Sequence, residues 1–487
     1  MFIPKASMWA LFAGHLALLQ QLPAQTASYW VSTASGSMKW KGPIALDLEQ
    51  ALEPKEGKRV YHIDTALAQT VDGMGSSLEP SSCYNLSKLA PEERRKVLQS
   101  LFDPQIGLGM NLMRICIGTP DFTGDPWYTY HDLSPGEEDP AGKFFQIARD
   151  EAYILPVLRE AMLVNPALRF FASPWSPPAW MKTPEILTGG RLQPRFYGAY
   201  ATYLVQFLKA YAKAGIPVMA ITVQNEPGVD REKAVPRWRY PSCHWTAEAQ
   251  RDFIRDHLGP ALRQHHLTTE IWCYDHNYNE EPLTDNSQVF LPERPGDAGI
   301  SFPRTVLRDT GAAKYTAAIA FHGYVGKPQG MSVIQEEFPM VPVRFTEGSI
   351  FGLAGGVKLM DILKNRAISY NAWVTMLDQA RRPNNGPFRA SKTMVERDTL
   401  TNQVHYHFDY YLYGHFMRFL TPGSRIVKNH METPKQLHLL SAKGADGRWV
   451  NVVINEANTV QEMLLERSGY QARLSLPGRS VATLQWP

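Results

Sequence analysis

Between residues 69 and 378 the chain repeats one pattern eight times, a short apolar run followed by a longer stretch with helical spacing. The runs are TVDGMG, NLMRICIG, RFFASPW, VMAITVQNE, EIWCYDHN, AIAFHGY, VRFTEG and AWVTMLD. They are rich in β-branched and aromatic residues, which suit a pleated, buried strand. The segments between them, such as PEERRKVLQSLF and YGAYATYLVQFLKAYAKAG, place apolar residues on one helical face and carry Gly or Pro at their ends. Strand and helix alternating in this way predict an α/β fold, a (β/α)8 TIM barrel of parallel strands with side chains filling its interior.

In such a barrel the functional groups collect where strands end and loops begin, because that rim is concave and accessible. Each run closes on residues able to bind or react: Asp72, Arg114, Trp175, Asn225 with Glu226, Asp275 with His276, His322 with Tyr324, Glu347, and Trp373. Loops are polar in any barrel, but the recurrence at every run is a stronger signal than any single residue. Outside residues 69–421 the style changes. LHLLSAKGADGRWVNVVINEA alternates about an ADG turn, ARLSLPGRSVATLQWP repeats that style, and YWVST and RVYHIDT have strand composition. Residues 28–68 and 422–487 are therefore expected to form one β-sandwich, built from both chain ends and packed beside the barrel.

A chain of 487 residues exceeds one compact core, and 44% apolar with 20% charged residues argues against extensive disorder. The formal net charge of +3 predicts no nucleic-acid or anionic-membrane partner. Lys5 precedes an apolar segment from Met8 to Leu19, so residues 1–27 read as a secretory signal peptide with Ala24 or Ala27 at the cut, and a secreted or periplasmic location follows. No run approaches the roughly 20 apolar residues of a membrane span. Cys83, Cys116, Cys243 and Cys273 show neither framework spacing nor a CxxC pattern, so buried free thiols are expected.

In AITVQNEPG, residues 220–228, Pro227 cannot continue a central strand, so the strand should stop near Glu226. VRFTEG likewise stops at Glu347, 121 positions on. Three βα units separate them, which sets the fourth and seventh strands across the barrel from each other. Glycosidic cleavage needs one carboxylic acid to protonate the departing oxygen and one carboxylate to attack or stabilise the anomeric carbon. Two glutamates on one rim meet that need. Arg114 is the candidate cation for Glu347, with a surface salt bridge as the bland alternative.

YNLSKL, ASPWSPPAWMKT, TVQNEP, QRDFIRDHLGPAL, FTEG, YYLYGHFMRF and RSVATLQW carry a likeness that runs from about residue 60 to the C-terminus. On these stretches the chain resembles glycoside hydrolase family 30, the glucosylceramidase family. The resemblance implies a barrel with an attached β-sandwich, retention of anomeric configuration, Glu226 as acid/base and Glu347 as nucleophile. It further implies that Asn225 donates to the sugar 2-hydroxyl and that Asp121, Trp175, His322 and Tyr324 form the glycone pocket; Trp373 is counted with the substrate-binding residues. No metal or organic cofactor is expected. The expected substrate is a β-glucoside, a glycolipid of glucosylceramide type or an aryl or alkyl glucoside, which points to sphingolipid or carbohydrate metabolism. A β-xylosidase or an endo-β-1,6-glucanase would keep the mechanism, and a non-catalytic carbohydrate-binding protein is the rival of another class.

Three departures from the family pattern bear on the leaving group. DGMGSSLEP replaces a GFGGA-like run, Gly323 stands where the glucosylceramidases carry tryptophan, and Met376 replaces the second tryptophan of a WxxWNL pattern. HYHFDYYLYGH lacks HExxH order and reads as a packed helix, with His405, His407 and His415 on it; GLGMN lacks the third glycine of a dinucleotide fingerprint.

Overall fold

Eight short strands carry the barrel: β1 Gly73–Gly75, β2 Leu112–Ile117, β3 Arg169–Pro174, β4 Val218–Thr222, β5 Glu270–His276, β6 Thr316–His322, β7 Val343–Glu347 and β8 Ser369–Asn371. The structure is a computed structural model that describes residues 26–51, 60–229, 239–278, 297–390, 392–428, 430 and 433–487. The strands lie parallel in the order β1, β8, β7, β6, β5, β4, β3, β2. Ser77 and Arg114 bridge the two ends of that order: the Arg114 N–H donates to the Ser76 carbonyl at 3.0 Å, and the Leu78 N–H to the Arg114 carbonyl at 2.8 Å. Parallel strands covered on both faces read as continuous buried runs, and β2 and β7 are buried at every position. Helices such as Pro91–Phe102, Ile154–Val164, Tyr197–Lys213 and Gly352–Lys364 supply the outer cover.

Two sequence expectations for the barrel are corrected. AWVTMLD is not the eighth strand: β8 is the preceding SYN, and Met376–Asp378 pairs instead with Val395–Arg397 in a separate three-stranded sheet. Both segments are buried and strand-like in composition, so periodicity does not separate them. Asp72 is not on the functional rim. It precedes β1 and bonds Arg169 at 3.1 Å and Arg344 at 2.6 Å, at the opposite end of the barrel.

Both chain ends meet in both sheets of the sandwich. In the seven-stranded sheet Thr26–Thr33 pairs with Ser480–Trp486, and in the four-stranded sheet Val60–His62 runs parallel to Gln461–Arg467. The expected leader, residues 1–27, lies outside the described residues except for Thr26 and Ala27, which belong to that first strand. Val31, Trp449, Ala482 and Leu484 of one sheet share a core with Met463, Leu465 and Leu474 of the other. The outer face of the larger sheet packs on the barrel: Leu440, Ile454 and Val481 join the main core. A Cβ at Gly356 would meet the Ile454 side chain at 2.6 Å, so the helix Gly352–Lys364 approaches the sheet closely because that position is glycine. His415, on the helix Phe408–Met417, bonds Thr483 and Ser32 across this junction at 2.9 and 3.0 Å, while His405 sits on a strand and His407 meets Glu396. All four cysteines are buried and none is in a disulfide. Among the described residues no helix is long and apolar enough to cross a membrane.

Leu465 is fully buried between the two sheets. Leu465→Ala is expected to lower the free energy of unfolding by about 2–5 kcal/mol, read from the urea midpoint against wild type.

Candidate active site

Side chains pointing into the barrel recur every second residue along each strand. Leu112, Phe171, Ala220, Trp272, Ala318 and Ala320 form an apolar layer. Two residues further up come Arg114, Ser173, Thr222 and His322, all fully buried, with Thr346 from β7 beside them. On β5 the next residue in phase is Tyr274, yet the strand slips register between Tyr274 and His276, and both Tyr274 and Asp275 take positive φ, 74° and 72°. Such a bulge re-aims side chains, and non-glycine residues adopt that backbone rarely. The Tyr274 hydroxyl turns to the Asn277 carbonyl at 2.6 Å, and Asp275 takes the interior position.

Asp275 is the hub of the polar layer. Its Oδ2 accepts from Arg114 Nη2 at 2.8 Å, with the Ser173 and Thr222 hydroxyls at 3.0 and 2.9 Å. Its Oδ1 lies 3.0 Å from His322 Nε2 and accepts from the Thr346 hydroxyl at 2.6 Å. Arg114 reaches on from Asp275 to Asn225 Oδ1 at 2.8 Å and, through Nη1, to Glu347 Oε2. The other Glu347 oxygen accepts from the Tyr324 hydroxyl at 2.7 Å.

Glu226 arrives differently. The chain leaves the sheet after Thr222, earlier than the expected stop near Glu226, and Glu226 itself has φ 51°. Its N–H donates to the Asp275 carbonyl at 3.0 Å, and its carboxyl meets the Tyr240 hydroxyl and His322 Nδ1, each at 3.3 Å. The same His322 nitrogen lies 3.9 Å from Glu347 Oε1. The separation of the two carboxyl oxygens is therefore no larger than the sum of those two distances, which leaves out most of the roughly 6.5–9.5 Å range of inverting pairs and admits the roughly 5–5.5 Å of retaining ones.

Above the glutamates opens a cavity of about 270 Å³. Seven of the nine residues expected from sequence line it: Asp121, Trp175, Asn225, Glu226, Tyr324, Glu347 and Trp373. Arg114 and His322 lie beneath, in the polar layer. Trp175 and Trp373 stack with ring centroids 5.4 Å apart, over Arg114 at 4.9 and 5.8 Å. Sequence reasoning left out Tyr240, Phe388 and Arg389 of the wall, because they sit on loops far from any strand end. Asp275 and His276 close a run in the sequence but are not among the expected site residues, although a carboxylate flanked by histidine at a strand end is a usable signal.

Charge in this layer follows from burial and neighbours. Burial works to raise the Asp275 carboxyl, but Arg114, His322 and the Thr346 hydroxyl overcome it and hold the group well below the usual carboxylate range. Burial opposes protonation of His322, yet Glu347 and Asp275, with the bond to Glu226, push it up to about 9. His276 is brought down to about 4 by burial. Asp121 is pushed up to about 8 by burial and by repulsion from Glu347 and Glu226. Burial raises Glu347 as well, against the pull of His322 and Arg114 and with Glu226 adding to the rise.

A histidine whose value rises on folding contributes stability that is complete below its unfolded value near 6.5 and is lost as the pH climbs through about 9. Wild type is therefore expected to lose about 3 kcal/mol of unfolding free energy over that window relative to His322→Gln, measured by urea unfolding of both proteins at pH 6.5 and above pH 9.

The chain is similar to known proteins over most of its length. Residues 71–353 match the glycosyl hydrolase family 30 TIM-barrel domain. A putative glucosylceramidase 3 from Caenorhabditis elegans is 26% identical over 446 residues, which cover 86% of this chain and 80% of that protein. An endo-1,6-beta-D-glucanase from Neurospora crassa is 28% identical over 379 residues, 74% of this chain and 72% of that one. A solved endo-beta1,6-glucanase superposes with a TM-score of 0.79 at 25% identity and covers 94% of this chain and 99% of its own. The family match spans more than half of the 487 residues, and the chain belongs to glycosyl hydrolase family 30.

Proposed function

We propose that the protein cleaves β-glucosidic bonds by double displacement with retention, with Glu347 as nucleophile and Glu226 as acid/base. The observation that carries this reading is the convergence of both carboxyls on one histidine nitrogen, at 3.3 and 3.9 Å, under a single cavity. Charge balance supports these roles. Arg114 and protonated His322 bring two positive charges and Asp275 one negative, so one ionised glutamate leaves the buried layer neutral and a second leaves it uncompensated. Arg114 and Tyr324 both donate to Glu347, which makes it the ionised member. Glu226 then keeps the proton that a departing alkoxide needs, and returns to the base role when water cleaves the glycosyl-enzyme.

In this reading Asn225, held by Arg114, meets the sugar 2-hydroxyl, and Asp121, Trp175 and Trp373 hold the glycone. The cavity is slightly smaller than the roughly 300–1,000 Å³ of pockets for drug-sized ligands, which favours one sugar ring and release from a chain end or from a simple aglycone. Glucosylceramide or an alkyl or aryl β-glucoside is the substrate class we favour, with a β-xyloside as the alternative glycone. Endo-β-1,6-glucanase action is the second reading, and the relatives with that activity support it. So does Gly323: a Cβ there would meet the Phe345 ring at 2.7 Å, so the tryptophan of the glucosylceramidases has no room at this position. The N-terminal leader, export, and the division at 28–68, 69–421 and 422–487 remain part of the proposal.

Rates on p-nitrophenyl β-glucoside and β-xyloside, with product lengths from a β-1,6-glucan, test the assignment. Faster glucoside cleavage with monosaccharide product supports the favoured reading. Oligosaccharide products from the glucan select the endo reading, and inactivity on all three substrates contradicts both.

A further inference from the structure

We propose that Glu226, His276 and His322 form a binding site for one divalent transition-metal ion, Zn2+ or Co2+, whose occupancy shuts the enzyme down. One ligand atom from each of these three buried residues lies within 4.8 Å of the other two. Glu226 Oε1 is 3.3 Å from His322 Nδ1 and 4.0 Å from His276 Nδ1. Donors about 2.0–2.2 Å from a tetrahedral zinc stand about 3.4 Å from one another, so the first pair already has that spacing and His276 must move in by a fraction of an ångström or more. Both histidines present the required nitrogen. His276 Nε2 lies 3.3 Å from where a Cβ at Gly228 would stand, while Nδ1 is the nitrogen nearer Glu226. His322 directs Nε2 at Asp275, and a ligating imidazole is commonly oriented in this way by a carboxylate on its far nitrogen.

The surroundings suit a cation. Once His322 has given up its proton, the four carboxyl groups of Asp121, Glu226, Asp275 and Glu347 in and under the cavity face two guanidiniums, Arg114 beneath it and Arg389 on its wall. Glu226 lines the cavity, so an ion enters from that side and the fourth coordination position opens toward it. Zn2+ binds as one proton leaves Glu226 and one leaves His322 for solvent, so the charge of the layer is unchanged. Only the consequence for activity rests on the proposed roles: a metal-bound Glu226 has no proton to give a leaving group.

The test is a Co2+ titration of the whole protein followed by visible absorption, which reads coordination whether or not the protein hydrolyses glycosides. One equivalent should produce a ligand-field band, abolished by Zn2+ or EDTA, and His276→Gln should weaken binding by at least about tenfold while near-ultraviolet circular dichroism stays native. His276→Ala serves as the second variant if the glutamine form does not fold. Absence of the band, or a band of unchanged affinity in either folded variant, overturns the proposal. With the site confirmed, reversible Zn2+ inhibition of glucoside cleavage links it to catalysis, and a protein that binds Co2+ but shows no glycosidase activity refutes the functional reading rather than the metal site.

Discussion

Glu347→Gly is expected to lower turnover of an aryl β-glucoside by at least about 10⁴-fold, and added azide to restore a large part of it with an α-glucosyl azide as product. The loss follows from chemistry: without the carboxylate no glycosyl-enzyme forms, and the two-step route closes. The rescue follows from the site. Glycine leaves a space next to Arg114 and the Tyr324 hydroxyl, both of which donated to the lost carboxylate. A small anion in that space regains those donors and attacks the anomeric carbon from the vacated side, which inverts configuration once. Asp275 still neutralises Arg114, so the variant should keep its fold. Proton NMR of the product checks the anomer. A variant as active as wild type, or one rescued with a β-azide, contradicts the assignment.

Glu226→Ala should separate substrates by leaving group. General acid catalysis contributes about 10²–10⁴-fold when the departing oxygen needs a proton. On an alkyl β-glucoside kcat/KM should fall by about that factor, whereas on 2,4-dinitrophenyl β-glucoside kcat/KM should change little, because that phenolate leaves unaided. Turnover of both falls at saturation, since the same residue activates water in the second step, and azide should accelerate that step to give the β-azide. Equal losses of kcat/KM across leaving groups would instead indicate that Glu226 only shapes the site.

The legible part of the structure was the part set by composition and period. Seven of the eight strands fall inside the runs seen in the sequence or overlap them, because parallel strands buried on both faces are continuous apolar segments. The eighth failed because SYN and MLD are equally short and both largely buried, and only the pairing partner tells them apart. The alternating style of LHLLSAKGADGRWVNVVINEA signalled its hairpin, Leu437–Lys443 with Trp449–Asn455, although the second strand is buried on both faces against sandwich core and barrel. Around the glutamates, strand-end position marked Glu347 and, two residues past β8, Trp373, whereas Arg114 lies in the middle of β2 and reaches the site from below. Backbone signs were invisible: nothing in IWCYDHN announces that Tyr274 and Asp275 both take positive φ and so turn the carboxylate, not the phenol, into the barrel. Such strained backbone clusters at functional sites, and here it positions the group that fixes Arg114 and His322. Tyr240 was hidden for another reason, since a loop residue that folds back onto Glu226 leaves no periodic trace.

In the proposed double displacement Glu347 becomes covalently glycosylated while Glu226 supplies and removes the proton. Mass spectrometry of the protein treated with a 2-deoxy-2-fluoro β-glucosyl donor bearing a good leaving group tests it most directly. One fluoroglucosyl unit attached to the Glu347 side chain is expected; attachment to a different carboxylate, or an unlabelled protein that releases product of inverted configuration, would refute the nucleophile role.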